Sequence, residues 1–226
     1  MKISIIIPTL NESNNLPLLL SDLSEISEES EILIIDSLSN DKTKAISYIY
    51  GCKFYKIYKK NRGLQLNFGA KKAKGNWLLF LHADSRLKLN WSEEIKTILK
   101  KESNFIYFFN FKIQKRNYSF KFLELLVNLR CFLFKTPFGD QGLLINKSNF
   151  FKQGGFKEIP LMEDIDFIRR IDKKKYLKPL RNSIYTSERK WKKKNFMLQA
   201  LHNWKLRRKW MNGDSIEAIY SRYYES

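Results

Sequence analysis

Apolar runs recur along the first half of the chain, each followed by a polar loop. Ile3-Ser4-Ile5-Ile6-Ile7 is β-branched and nearly all apolar, which suits a strand covered on both faces. Residues 11–14 offer helix N-caps, and 16–23 reads as the helix they start. The pattern then repeats with a buried strand over 31–35, a polar loop over 36–41, a helix over 43–50 and a short strand over 53–58. Residues 67–74 are rich in helix formers and stop at Gly75, and the run 77–81 ends at His82-Ala83-Asp84-Ser85. Strands alternating with helices predict an α/β chain with a mostly parallel, doubly wound sheet flanked by helices. Ligands of such sheets bind outside the carboxyl ends of the strands, so residues 8–12, 36–41 and 82–85 should converge on one crevice.

The second half is less regular. Residues 105–113 read as an aromatic strand, and 118–134 as an amphipathic or partly buried helix interrupted by Lys121, Glu124 and Arg130. A short strand over 143–145 and a helix over 162–173 follow, and 190–211 is a basic helical tail carrying Trp204 and Trp210. No linker rich in proline, glycine or serine divides the chain, so one domain over 1–226 is expected.

Composition narrows the partners without choosing one. With 43% hydrophobic residues, including 17 Phe and 11 Tyr, the 226-residue chain can bury a sizeable core, and disorder is excluded. A formal charge of +19 favours anionic partners such as lipid headgroups, phosphorylated metabolites or nucleic acid, and is equally what a solvated lysine face produces. Two cysteines, Cys52 and Cys131, are too few and too far apart for a disulfide framework or zinc knuckle, so a reducing compartment is expected. The first apolar run is too short for a signal peptide, and no stretch has the roughly 18 uncharged apolar residues of a membrane span. A cytoplasmic address follows, with the inner face of the membrane as a peripheral site.

Several of these segments carry a resemblance. The opening Ile5-Ile6-Ile7-Pro8-Thr9-Leu10-Asn11-Glu12, the loop Asp36-Ser37-Leu38-Ser39-Asn40-Asp41-Lys42-Thr43 and Leu79-Phe80-Leu81-His82-Ala83-Asp84-Ser85 match, in order, the donor-site motifs of family 2 glycosyltransferases with the A-type fold. Arg62-Gly63-Leu64-Gln65-Leu66-Asn67-Phe68-Gly69-Ala70 and Phe138-Gly139-Asp140-Gln141-Gly142 resemble more narrowly a bacterial subgroup associated with radical-SAM and selenodomain proteins. The resemblance runs to Trp191.

It implies that a nucleotide diphosphate sugar binds at Pro8, Thr9, Glu12, Asp36, Arg62 and Asp84, with residues 1–100 as the donor half and 101–226 as the acceptor half. Asp36 would accept from the N–H groups of a pyrimidine base. Asp84 would hold Mg²⁺ or Mn²⁺, and Arg62 would add a positive clamp on the diphosphate. Where the broader family often has a first aspartate, this chain has His82, which could ligate the metal or hydrogen-bond a phosphate or carboxylate. Glu163-Asp164 falls on the family's E-D pair, which makes Asp164 the base in an inverting transfer. Asp140, Gln141, Glu163, Arg189 and Trp191 would position the acceptor or the sugar.

Taken singly, each residue has a plainer use. Glu12 and Asp36 could be helix caps, Glu163, Asp164 and Asp166 a salt-bridged helix start, and Asp140 a turn former. The basic aromatic tail could line the acceptor site, pack in the core or lie on an anionic membrane; no recognised nucleic-acid motif occurs in it. The acceptor class therefore stays open, with a lipid-linked molecule among the candidates. A basic α/β module that binds anionic lipid or RNA with inactive loops is the alternative to an enzyme. Nucleotidyl transfer is disfavoured, because no glycine-rich phosphate loop follows the first strand.

Overall fold

The computed structural model describes residues 2–101, 103–114, 117–186 and 196–224. Arg189 and Trp191 lie outside the described residues. The chain begins with β1 (Ile3–Thr9), α1 (Leu16–Asp22), β2 (Ser30–Asp36), α2 (Thr43–Ile49), β3 (Lys53–Lys56), α3 (Arg62–Lys72) and β4 (Trp77–Phe80). It continues through β5 (Ser85–Leu87), α4 (Trp91–Leu99), β6 (Ile106–Ile113), α5 (Tyr118–Phe134), β7 (Leu143–Asn146) and α6 (Lys147–Lys152). It closes with α7 (Glu163–Arg170), the single turn α8 (Lys173–Tyr176), β8 (Leu177–Thr186), α9 (Phe196–Met211) and α10 (Ile216–Tyr224).

The strands form one eight-stranded sheet in the order β3-β2-β1-β4-β7-β6-β8-β5. β3, β2, β1 and β4 run parallel, as the repeat of strand and helix requires. β1 lies between β2 and β4, so the chain reverses its direction of winding there, and the crevice beyond the carboxyl ends of β1 and β4 is the switch point of the sheet. Beyond β4 the sheet is mixed: β7 is antiparallel to β4 and β6, β5 is antiparallel to β8, and β8 is parallel to β6.

The apolar runs bury both faces as their composition demands. Ile3, Ile5 and Ile7 join one core with Leu16 and Leu19 of α1, while Ile6 joins the other with Leu66 and Ala70 of α3. Cys52 and Cys131 are both buried free thiols.

Two helix boundaries differ from expectation, and one long strand was not foreseen. α3 starts at Arg62, because the Asn61 side chain caps it by accepting from Leu64 N at 2.9 Å. The helix expected over 162–173 stops at Arg170, where Ile171 turns extended. β8 was not anticipated, since Pro179 and scattered charges disguise it; the proline sits where the β6–β8 register slips between Phe108 and Asn110.

α5 covers the residues expected and is partly buried, as the sequence indicated. It is apolar on two faces: Phe120, Leu123 and Cys131 are buried, whereas Tyr118, Phe122, Leu125, Leu129 and Phe132 form an exposed stripe at helical spacing. Polar residues point inward instead. Glu124 accepts from Ile113 N at 2.7 Å, and the Asn128 amide closes both backbone groups of Phe111, at 2.9 and 3.0 Å. Among the described residues these side chains satisfy the stretch of β6 beyond Tyr107, where its pairing with β7 ends.

Candidate active site

The loops after β1 and β2 are laced into one wall. Asp36, 1% exposed at the end of β2, accepts from Thr9 Oγ1 at 2.9 Å, from Ser39 N at 2.9 Å and from the Ser39 hydroxyl. A carboxylate has about four acceptor positions, so Asp36 has about one left for a ligand. Asp41 accepts from Ser13 N and from both Thr43 groups, and these hydrogen bonds outweigh desolvation and hold its carboxyl at about 2. Glu12 starts α1 with its backbone carbonyl, and its side chain accepts from Asn15 Nδ2 at 2.8 Å. Leu38 in the same wall has φ +67°, an uncommon strain for a branched non-glycine residue. Pro8 is partly exposed one residue before Thr9.

The segment 62–70 joins this wall to the second half of the chain. Gln65 Nε2 donates to the carbonyls of Thr9 and Ile35, tying the ends of β1 and β2 together. The Asn67 amide pairs with both backbone groups of Phe156. Gly63 leaves no room for a side chain: a Cβ there would stand 2.1 Å from the Lys157 carbonyl oxygen. Gly69 is similarly pressed on Ile6.

Arg62, at the front of α3, therefore reaches α7. It binds Glu163 through Nε and through Nη2 at 3.1 Å, and its Nη2 lies 4.0 Å from Asp164 Oδ1. Burial drives Glu163 up to about 7 even though Arg62 opposes the shift; the neighbouring Asp164 charge adds to it. Burial also disfavours the Arg62 cation, yet the Glu163 and Asp164 charges outweigh that and push its pKa up. Glu163 is 1% exposed, and its carboxylate is engaged with Arg62.

Asp164 is oriented from three sides. Its Oδ2 accepts from Gly139 N at 2.6 Å, its Oδ1 accepts from Ile165 N at 2.8 Å, and Arg62 stands beyond. A Cβ on Gly139 would lie 2.9 Å from His82 Nε2 and 3.1 Å from Asp164 Oδ2, so imidazole and carboxylate flank the same glycine. Met162, which leads into α7, holds φ +66°. Beneath them lies a cavity of about 30 Å³, room for one or two waters, lined by Leu66, Phe80, Phe138 and Phe167 together with the carboxylates.

Gln141 is fully buried. It donates to Phe109 O at 3.1 Å and accepts from Cys131 Sγ, Phe138 N and Arg130 Nη2. Asp140 is partly buried beside Gly139.

Asp84 is partly buried in the turn between β4 and β5. Among the described residues no three His, Cys, Asp or Glu side chains gather as a metal cage. A lone carboxylate beside a crevice fits a hard cation shared with phosphate oxygens, the usual arrangement for Mg²⁺, better than a cation held by protein alone.

Arg130 and Arg207 escaped the sequence reading as site residues. α9 and α10 pack over the active-site segment, with Leu206 and Ile219 against Met162 and Ile165, and this brings Arg207 beside Asp140 and Asp164. Only the basic character of the tail hinted at it.

A mixed sheet with donor loops at its switch point, facing a glycine-held carboxylate, defines an A-type glycosyltransferase scaffold. The glycosyl transferase family 2 profile matches residues 4–158, and the chain belongs to that family. An uncharacterized glycosyltransferase of Haemophilus influenzae is 26% identical over 181 residues, 75% of this chain and 61% of its own. The 4,4'-diaponeurosporenoate glycosyltransferase of Staphylococcus haemolyticus is 33% identical over 105 residues, 43% of this chain and 28% of its own. The chain thus spans less than two thirds of these curated relatives. S. aureus TarS 1-349 in complex with UDP-GlcNAc superposes with a TM-score of 0.67 at 19% identity, covering 84% of this chain and 59% of that one. Glucosyl-3-phosphoglycerate synthase from Mycobacterium tuberculosis, in complex with Mg²⁺ and UDP, gives 0.59 at 13% identity, covering 82% and 69%.

Proposed function

We propose that the chain is an inverting glycosyltransferase that moves a sugar from a nucleotide diphosphate sugar to an acceptor hydroxyl. The observation that carries this is Asp164, a carboxylate fixed by Gly139 N–H at 2.6 Å beside the switch-point crevice. In the transfer, the acceptor oxygen bonds to the anomeric carbon while the bond from that carbon to the diphosphate breaks. The electron pair leaves with the diphosphate, and the acceptor proton passes to Asp164. Thr9, Asp36 and Glu12 belong to the nucleoside wall, and structural neighbours bound to UDP support a uridine nucleotide there. Asp84 would hold Mg²⁺ or Mn²⁺, with His82 as a second ligand; the cation, when bound, neutralises charge on the leaving diphosphate. Arg62, held by Glu163, keeps a positive charge near Asp164.

The chain is one domain in this reading, with residues 1–100 binding the donor and 101–226 the acceptor. Its two glycine-bearing segments, 62–70 and 138–142, meet at Asp164, which supports the subgroup associated with radical-SAM and selenodomain proteins. We place the enzyme at the cytoplasmic face of an anionic membrane with a lipid-linked acceptor. Among the described residues no helix is long and apolar enough to cross a membrane. The exposed stripe of α5 and the +19 charge suit binding to its surface. Arg189 and Trp191 would belong to the acceptor side.

The test is release of UDP from a panel of UDP-sugars with Mn²⁺, for wild type and Asp164→Asn. Loss of turnover with retained UDP affinity supports the assignment. Ordinary turnover in Asp164→Asn removes Asp164 as the base.

A further inference from the structure

We propose that Arg130 and Arg207 form a binding site for a phosphate monoester on the acceptor. The inference rests on the transferase reading, which it deepens by naming the acceptor's chemistry. Arg130 comes from α5 and Arg207 from α9, and both guanidinium groups lie over the Phe138 ring, with Cζ at 3.8 and 4.7 Å from its centroid. Stacking uses the faces of the guanidinium planes and leaves their N–H edges for an anion.

Among the described residues neither arginine has a carboxylate within 4.0 Å; Arg130 has only Gln141 Oε1 at 3.4 Å and the Cys131 sulfur at 3.6 Å. Arg130 Nε is buried and has no hydrogen-bond partner. Burial, and then the Arg130 charge, lower the Arg207 pKa, while Asp140 and Asp164 offset this only in part. Two cations that Asp140 and Asp164 offset only in part cost stability, and a doubly charged monoester with three acceptor oxygens removes that cost.

The location selects the acceptor rather than the donor. Gln141, which accepts from Arg130, is anchored on Phe109 of β6, while the nucleoside wall ends β2. β1, β4 and β7 lie between those strands, a separation of about 19 Å at the usual strand spacing. Asp164 stands on the side of Arg207. Arg130 also follows Leu129 of the exposed apolar stripe, so a lipid phosphate and a soluble one can both reach the pair.

Calorimetry with glycerol 3-phosphate, octyl phosphate and octanol tests the site. Wild type should bind at least one monoester and not the alcohol, with preference for octyl phosphate marking a lipid source and preference for glycerol 3-phosphate a soluble one. Arg130→Gln and Arg207→Gln should each weaken that binding about 10- to 100-fold while UDP affinity holds. Arg208→Gln, which removes an exposed charge from the same helix, should not weaken it. Because the pair is mutually repulsive, Arg207→Gln should melt no lower than wild type; Arg207→Lys, which keeps the charge without the planar fork, should weaken binding as well. The proposal is overturned if no monoester binds, if Arg208→Gln has an equal effect, or if the two variants lower UDP affinity instead. Absence of UDP binding to wild type would defeat the transferase reading separately, with the phosphate measurements still deciding the subsite.

Discussion

Above about pH 7, where Glu163 is ionised, replacing Arg62 by Met should destabilise the protein by about 3–5 kcal/mol, because it leaves that charge buried without its cation. The geometry sets the scale: Glu163 is 1% exposed, binds Arg62 through both oxygens and stands beside a second carboxylate. For a chain of this size the loss corresponds to a fall of roughly 10 °C in Tm. Glu163→Gln, which removes the charge and keeps the shape, should cost less, and the double variant should recover part of the Arg62→Met loss. The pair also predicts a pH dependence. Glu163 titrates at about 7 in the folded chain against 4.5 when unfolded, so the native state holds a proton that the unfolded state has released. Stability should therefore fall as pH rises from about 4.5 to about 7, by about 3 kcal/mol at roughly 1.4 kcal/mol per unit. Urea unfolding of the four proteins at several pH values reads both effects. Additivity of the two substitutions within about 0.5 kcal/mol, or an unchanged pH profile in Glu163→Gln, would refute the reasoning.

Other substitutions probe separate parts of the account. Gly139→Ala sets a methyl 2.9 Å from His82 Nε2 and 3.1 Å from Asp164 Oδ2, so turnover should drop at least tenfold with Tm changed by only a few degrees; equal turnover would mean that the Asp164 geometry is not needed. Gly63→Ala meets backbone at 2.1 Å and should cost about 1–3 kcal/mol, seen as a lower urea midpoint, while a neutral result would contradict the contact between α3 and residues 157–159. Leu125→Lys with Phe132→Lys should leave Tm near wild type, since both side chains are exposed, and should reduce sedimentation with anionic vesicles; undiminished sedimentation would remove α5 from the membrane contact.

The first half of the chain was legible because its signals are local. Runs such as 3–7 and 77–81 bury both faces, and only a covered parallel sheet accommodates that composition. Gln65, Asn67 and Gly69 stood out as part of a recognisable segment, although their tasks, bracing β1, β2 and Phe156, are visible only in three dimensions. The second half resisted because its contacts are distant in sequence. β8 hides behind Pro179, α5 turns its polar side chains inward to serve β6, and Arg130 and Arg207 meet only because α9 folds back over α7. Glu163 was read as positioning the sugar or acceptor, and its ion pair with Arg62 across 101 residues was not legible in the sequence.

Titration of UDP into the protein with and without Mn²⁺ bears most directly on the central claim. Binding should be saturable and strengthened by Mn²⁺; Asp84→Ala should abolish its metal-dependent part, and Asp164→Asn should preserve it. No saturable binding of UDP to the wild-type chain, or binding indifferent to both Mn²⁺ and Asp84, would contradict the claim.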